Sequence, residues 1–278
     1  VAYESQRGAI SKEAVFEKMR AIFKIMKNAI DLGLKGTKYA DRILGPQSLT
    51  FQERMDGKKL VEGDVLNQVI LYTSAMMEVK SSMGVIVAAP TAGSCGALPG
   101  ALIGIGKTLN LSEDEMVKAL LAAGMIGVFI AEHATFAAEV GGCMAECGSG
   151  SGMAAAGIVL LKKGTLNQSL SAASMALQSS LGMICDMIAD RVEAPCLNRN
   201  VMAATNAISC ANMALSDYNH LIPLDEVVET MKRVGDALPN TLRCTGLGGL
   251  AITKTAKEIE AKLANGEINT NKTFFKVC

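Results

Sequence analysis

Tryptophan is absent from this 278-residue chain, and the other aromatics are few: 4 Tyr and 7 Phe. Large rings cannot dominate its core, and the abundant alanine, glycine and methionine suit helices that pack closely through thin side-chain layers. A charge surplus is also missing, since 27 Lys and Arg balance 27 Asp and Glu. That removes the basic footprint of a nucleic-acid binder, which the small Lys162-Lys163 cluster does not restore. Alternating strand patterns are scarce, and β-branched runs are almost confined to residues 84–87. The glycine-rich stretches match neither Gly-x-x-x-x-Gly-Lys-Ser/Thr nor Gly-x-Gly-x-x-Gly in a strand–helix setting, so nucleotide binding is not expected. No internal repeat, low-complexity tract or signal peptide is visible.

What is present is globular. Half the residues are apolar and 19% charged, a balance without a disordered signature and ample for a large core in one or two domains. Residues 83–106 carry no charge and are long enough to span a bilayer. Pro90, Gly93, Gly96, Pro99 and Gly100 interrupt that stretch, however. A lipid-facing helix would leave freed backbone groups there, so a buried loop leading into a core helix is expected, and no membrane partner.

Apolar residues at Val15, Met19, Ile22, Phe23 and Met26 predict an amphipathic helix over 11–31, followed by a linker marked by Gly33, Gly36 and Gly45-Pro46. Ser112-Glu-Asp-Glu115 is a capping box opening a helix to about residue 131. Further helices are predicted over 62–80, 97–109, 153–163, 166–183, 199–215, 223–237 and 249–263. Residues 88–96 and 141–152 read as glycine-rich loops. The fold class is therefore all-α or nearly so, a helical bundle in which Gly/Cys-rich loops at helix ends form a buried site. Backbone N–H groups exposed at such turns suit a carboxylate or phosphate.

Eight cysteines in so large a chain are too dilute for a disulfide scaffold; a reducing, cytoplasmic compartment with thiolate ligands or buried thiols is expected. Cys143, Cys185 and Cys196 each lie in a segment punctuated by glycine or proline. Three thiolates can hold a metal centre and leave one coordination position open for a substrate. No tight Cys-x-x-Cys run supports them, so buried core thiols remain the competing reading. Cys147, one helical turn from Cys143, would instead complete a closed four-cysteine site, structural or electron-transferring. Cys95, Cys210 and Cys244 read as core or pocket-wall residues, and His133 and His220 as a satisfied and an exposed histidine.

Several segments, taken in order, resemble the α chain, or α-type catalytic domain, of the iron–sulfur-dependent L-serine dehydratases. They are Ala89-Pro-Thr-Ala-Gly-Ser-Cys-Gly96, Gly142-Cys-Met-Ala-Glu-Cys-Gly-Ser-Gly-Ser-Gly-Met-Ala-Ala-Ala-Gly157, Cys185-Asp, Ala194-Pro-Cys-Leu-Asn-Arg-Asn200 and Gly248-Gly-Leu-Ala251. The likeness runs from about residue 62 to 257. It implies a helical catalytic domain, taken here as 58–278 after an N-terminal helix and linker at 1–57. It also implies a [4Fe-4S] cluster on Cys143, Cys185 and Cys196, whose remaining iron meets the serine hydroxyl. Loss of that hydroxyl and of the Cα proton leaves an aminoacrylate that hydrolyses to pyruvate and ammonia, without pyridoxal phosphate.

The resemblance further implies a small amino-acid substrate at Thr91, Gly93 and Ser94, with Arg199 and Asn200 as additional substrate or ligand-supporting contacts. Cys278 is a possible fourth ligand, because single-chain relatives can end near a cysteine that folds back onto the open iron. The family's histidine base lies in a β-type region that this sequence lacks, so no catalytic base is assigned here. A β subunit, or an N-terminal part of a longer polypeptide, is expected to carry it, and an oligomer is expected. Ala92 stands where some relatives have Asn, and Cys244-Thr245 where they often have Glu-Thr. A related L-cysteine desulfidase and a non-catalytic electron-transfer protein are the alternatives.

Overall fold

The structure, a computed structural model, describes residues 1–268. Among these the only β pairing is an isolated parallel bridge between Cys185 and Arg243, so the fold is helical, as the scarcity of strand patterns predicts. The helices run α1 (Ala2–Arg7), α2 (Lys12–Gly33), α3 (Ser48–Asp56), α4 (Asp64–Ser81), α5 (Ala97–Thr108), α6 (Glu113–His133), α7 (Ala138–Cys143), α8 (Ser149–Leu161), α9 (Leu166–Gln178), α10 (Cys196–Leu215), α11 (Leu224–Ala237) and α12 (Lys254–Ala264).

Helix α8 is the hub, packed against α5, α6, α9 and α10. Its sequence is small and apolar, and every residue except Leu160 is buried. The glycines at its start were expected to form a loop over 141–152; this segment is instead helical through α7, a π-turn at Met144–Gly148, and α8. The reason is tertiary. At Gly150 an added Cβ would already stand 3.3 Å from the Cβ of Ala97, so the missing side chain lets α8 lie against the start of α5. That contact outweighs glycine's poor helix propensity of about 1 kcal/mol.

The uncharged stretch 83–106 divides as expected into an extended loop and the buried helix α5. Two other helical stretches, Glu113–His133 and Ala138–Leu161, are long and apolar enough for a membrane span, but the second is 89% buried inside the protein. Helix α2 begins at Ser11, whose hydroxyl accepts from Ala14 N, and its Phe23, Met26, Ala29 and Ile30 join the same core as α8.

The segment between α2 and α3 is pinned by buried charge. Glu78 of α4 accepts from Gln47 N, Ser48 N and the Ser48 hydroxyl, acting as an N-terminal cap for α3 from another helix. Glu193 accepts from Ile43 N and Leu44 N, and its Oε2 lies 3.5 Å from Arg42 Nε in an ion pair that lacks hydrogen-bond alignment. Lys80 Nζ donates to Val192 O. The loop leading to Cys196 is thus held from both α4 and the linker.

Candidate active site at the cysteine cluster

Cys143 ends α7, and Gly142 before it takes φ +67°, a conformation suited to glycine. A Cβ there would stand 2.7 Å from Met183 O. The chain can therefore pass close to residues 183–185, and Met144 N donates to Met183 O at 3.0 Å. The result is that Cys143 packs against Cys185. Cys185 N donates to Leu242 O, and Cys244 N donates to Cys185 O, which brings a third sulfur, Cys244, against Cys185 from the segment before Gly246. Cys196 opens α10, close enough for the charge on Cys143 to act on it.

The electrostatics follow from that packing. The Cys185 thiol shares its proton with Cys143, which holds the Cys143 thiol below its ordinary value; the Arg199 guanidinium, 3.4 Å from Cys143 Sγ, acts in the same direction. Cys185 is pushed up by its neighbours, Cys143 first and Cys244 next. Burial pushes Cys196 up to about 12. Arg199 is itself fixed by Asp186, with Nη2 to Oδ1 at 2.6 Å, and Asp186 Oδ2 accepts from Leu250 N at 2.7 Å. The motifs at 185–186, 196–200 and 248–251 thus meet around one ion pair.

The Pro-Thr loop forms the adjacent wall. Thr91 Oγ1 donates to Glu146 Oε1 at 2.7 Å and accepts from Ser94 N at 3.1 Å, and Ser94 Oγ lies 3.1 Å from Thr91 Oγ1. Ser94 is completely buried, so its hydroxyl serves the loop. Asn200 is also completely buried. Its amide accepts from Gly96 N and Ala97 N and donates to Gly93 O and Cys196 O, joining the loop to the Cys196 end of α10. Asn200 and Ser94 thus shape the wall from inside, whereas Thr91, Gly93 and Arg199 keep partial access to solvent.

Cys147 is buried one turn past Cys143, against Ala97 and Ala203. The described cysteines are all free, and Cys278 lies outside the described residues. His133 and His220 line a different cavity of about 500 Å³ with Phe129, Leu224 and Val228. Two participants were not singled out from sequence: Cys244, read as a core or pocket-wall residue, and Glu146. The one sequence cue for Glu146 is its place between Cys143 and Cys147 in the glycine-rich segment.

The donor set suits an iron–sulfur group. It offers buried sulfurs with a cation beside one of them, and iron–sulfur clusters are held by cysteine thiolates, one to each iron. Among the described residues, no three Cys, His, Asp or Glu side chains converge to clasp a single metal ion.

Comparison with known proteins bears on the family of the chain. The family described as "Serine dehydratase alpha chain" matches residues 1–251. The chain is 38% identical over 273 residues to a protein of Bacillus subtilis named "Probable L-serine dehydratase, alpha chain", covering 98% of this chain and 91% of that one. It is 38% identical over 258 residues to "L-serine dehydratase, alpha chain" of Peptoniphilus asaccharolyticus, covering 92% and 88%. "L-serine dehydratase" of Streptomyces coelicolor is 33% identical over 258 residues, 90% of this chain but 56% of that longer protein. With the family's ordered motifs gathered at one buried site, the chain belongs to the serine dehydratase alpha-chain family.

Proposed function

We propose that this chain is the α subunit of an L-serine dehydratase, converting L-serine to pyruvate and ammonia with a β subunit. Cys143, Cys185 and Cys196 would hold a [4Fe-4S] cluster. When bound, such a cluster supplies a Lewis-acidic iron for the serine hydroxyl. The observation that carries the reading is the meeting of Cys143, Cys185, Asp186 and Arg199, brought together from separate family motifs.

The chain's own residues define the pocket. Arg199, fixed by Asp186, keeps positive charge beside Cys143 and so favours the thiolate needed for a ligand. The Ala92 and Gly93 N–H groups donate to no described residue, which leaves them available to a substrate carboxylate. Burial of Cys143, Cys185 and Cys196 keeps bulk water from the ligand side. Removal of the Cα proton is assigned to a base on the β subunit. The alpha-chain names of the relatives and the 56% coverage of the longer Streptomyces protein support that division. A cytoplasmic setting agrees with the free thiols.

The test is anaerobic purification with the partner chain, followed by assay of pyruvate from L-serine. A brown protein is expected, with activity that survives pyridoxal-phosphate scavengers and is lost, together with iron, in Cys185→Ala. A colourless, iron-free wild type under anaerobic conditions would overturn the cluster assignment. Sulfide release from L-cysteine exceeding pyruvate release from L-serine would redirect the reading to a desulfidase.

A further inference from the structure

Glu146 lies in the π-turn between Cys143 and Cys147, a type of helical irregularity that recurs at functional sites. One oxygen, Oε1, accepts from the Thr91 hydroxyl at 2.7 Å. The other, Oε2, accepts from no described residue. The carboxylate lies flat against Gly93, where an added Cβ would stand 2.8 Å from both oxygens; glycine is what allows the close approach. Among the described residues Glu146 has no ion-pair partner within 4 Å, although burial holds its carboxyl above the usual range. It still has access to solvent, beside the exposed Ala92.

A mostly buried carboxylate with one oxygen unused, and with Lys80 acting on it only from beyond ion-pair reach, has room for a closer cation. An α-amino acid carries one. The unpartnered N–H groups of Ala92 and Gly93 sit on the same loop and suit the other end of a zwitterion. From this juxtaposition we infer that Glu146 is the ammonium-binding residue of the substrate site, selecting α-amino acids over acids that lack the amine. This deepens the proposed function and rests on its placement of the substrate. Thr91 is then a positioning residue, aiming Oε1 so that Oε2 faces the ligand.

The anaerobic complex of this chain with its partner can be titrated calorimetrically with two probes that undergo no dehydration, L-alanine and propanoate. Wild type is expected to bind L-alanine roughly tenfold or more tightly than propanoate, the weight of one charge-assisted contact. In Glu146→Gln, whose amide oxygen can still accept from Thr91, that preference should vanish. Propanoate binding should hold, and KM for L-serine should rise by the same factor with a smaller change in kcat. Equal binding of the two probes by wild type overturns the assignment without any variant. A Glu146→Gln enzyme with unchanged KM and abolished kcat also overturns it, in favour of proton transfer. If wild type forms no pyruvate yet prefers L-alanine, the serine reading fails and the ammonium site stands.

Discussion

Asn200 lies wholly inside the protein, and each polar atom of its amide meets backbone from the Pro-Thr loop, the start of α5 or its own helix. Removing it would orphan several buried groups at once. We expect Asn200→Ala to lose about 3 kcal/mol in urea denaturation, since each unsatisfied buried group costs about 1–3 kcal/mol. Asn200→Asp should be worse, because a carboxylate oxygen would then face the Gly93 and Cys196 carbonyls. The residue could be singled out in sequence from its place after Cys196, yet its bonding could not. An amide serves a substrate or a backbone equally well, and only the identity of its neighbours decides. Cys244 teaches the same lesson: nothing in its local sequence distinguishes a wall thiol from one that touches Cys185.

Among the elements, α6 was the most legible. Its capping box is present in both halves, with Glu115 N to the Ser112 hydroxyl and Ser112 N to Glu115 Oε2. Ser112→Ala should lower stability by about 1 kcal/mol and leave iron content unchanged, read by denaturant midpoint and metal analysis. The helix predicted over 166–183 ends earlier, at Gln178, and the chain past it runs extended through 183–185 to reach Cys143. The helix predicted over 199–215 begins earlier, at Cys196, straight after Pro195, which is acceptable at a helix start. The segment 141–152 is helical where glycine content predicts a loop. Its glycines argue for a loop by propensity, but they are there for close helix contact and for one sharp kink at Gly142.

At the scale of the whole molecule, buried carboxylates tie the linker to the body, and this gives stability a pH signature. Burial raises the Glu78 carboxyl above its ordinary 4.5 despite the hydrogen bonds from Ser48 and Gln47, which pull the other way. The folded state therefore binds a proton more tightly than the unfolded chain at this position. Its contribution is fully present below the unfolded value and is lost as pH rises through the folded value. Glu78→Gln should accordingly flatten the decline of melting temperature on going from pH 4.5 upward, compared with wild type. An unchanged slope in the variant would refute this.

Local pattern alone determined the helical class, most helix positions, the balanced surface and the segments that carry the thiols. Periodicity, caps and glycine or proline punctuation act within a few residues of one another, so they can be read along the chain. Which thiols meet, which amide is structural and which buried carboxylate has no ion-pair partner among the described residues were decided only by the tertiary structure. Asn200 and Gly96, or Thr91 and Glu146, are distant in sequence and become neighbours only when α5, α8 and α10 pack. Close packing of small residues brought them there, and no local property of either partner encodes that contact.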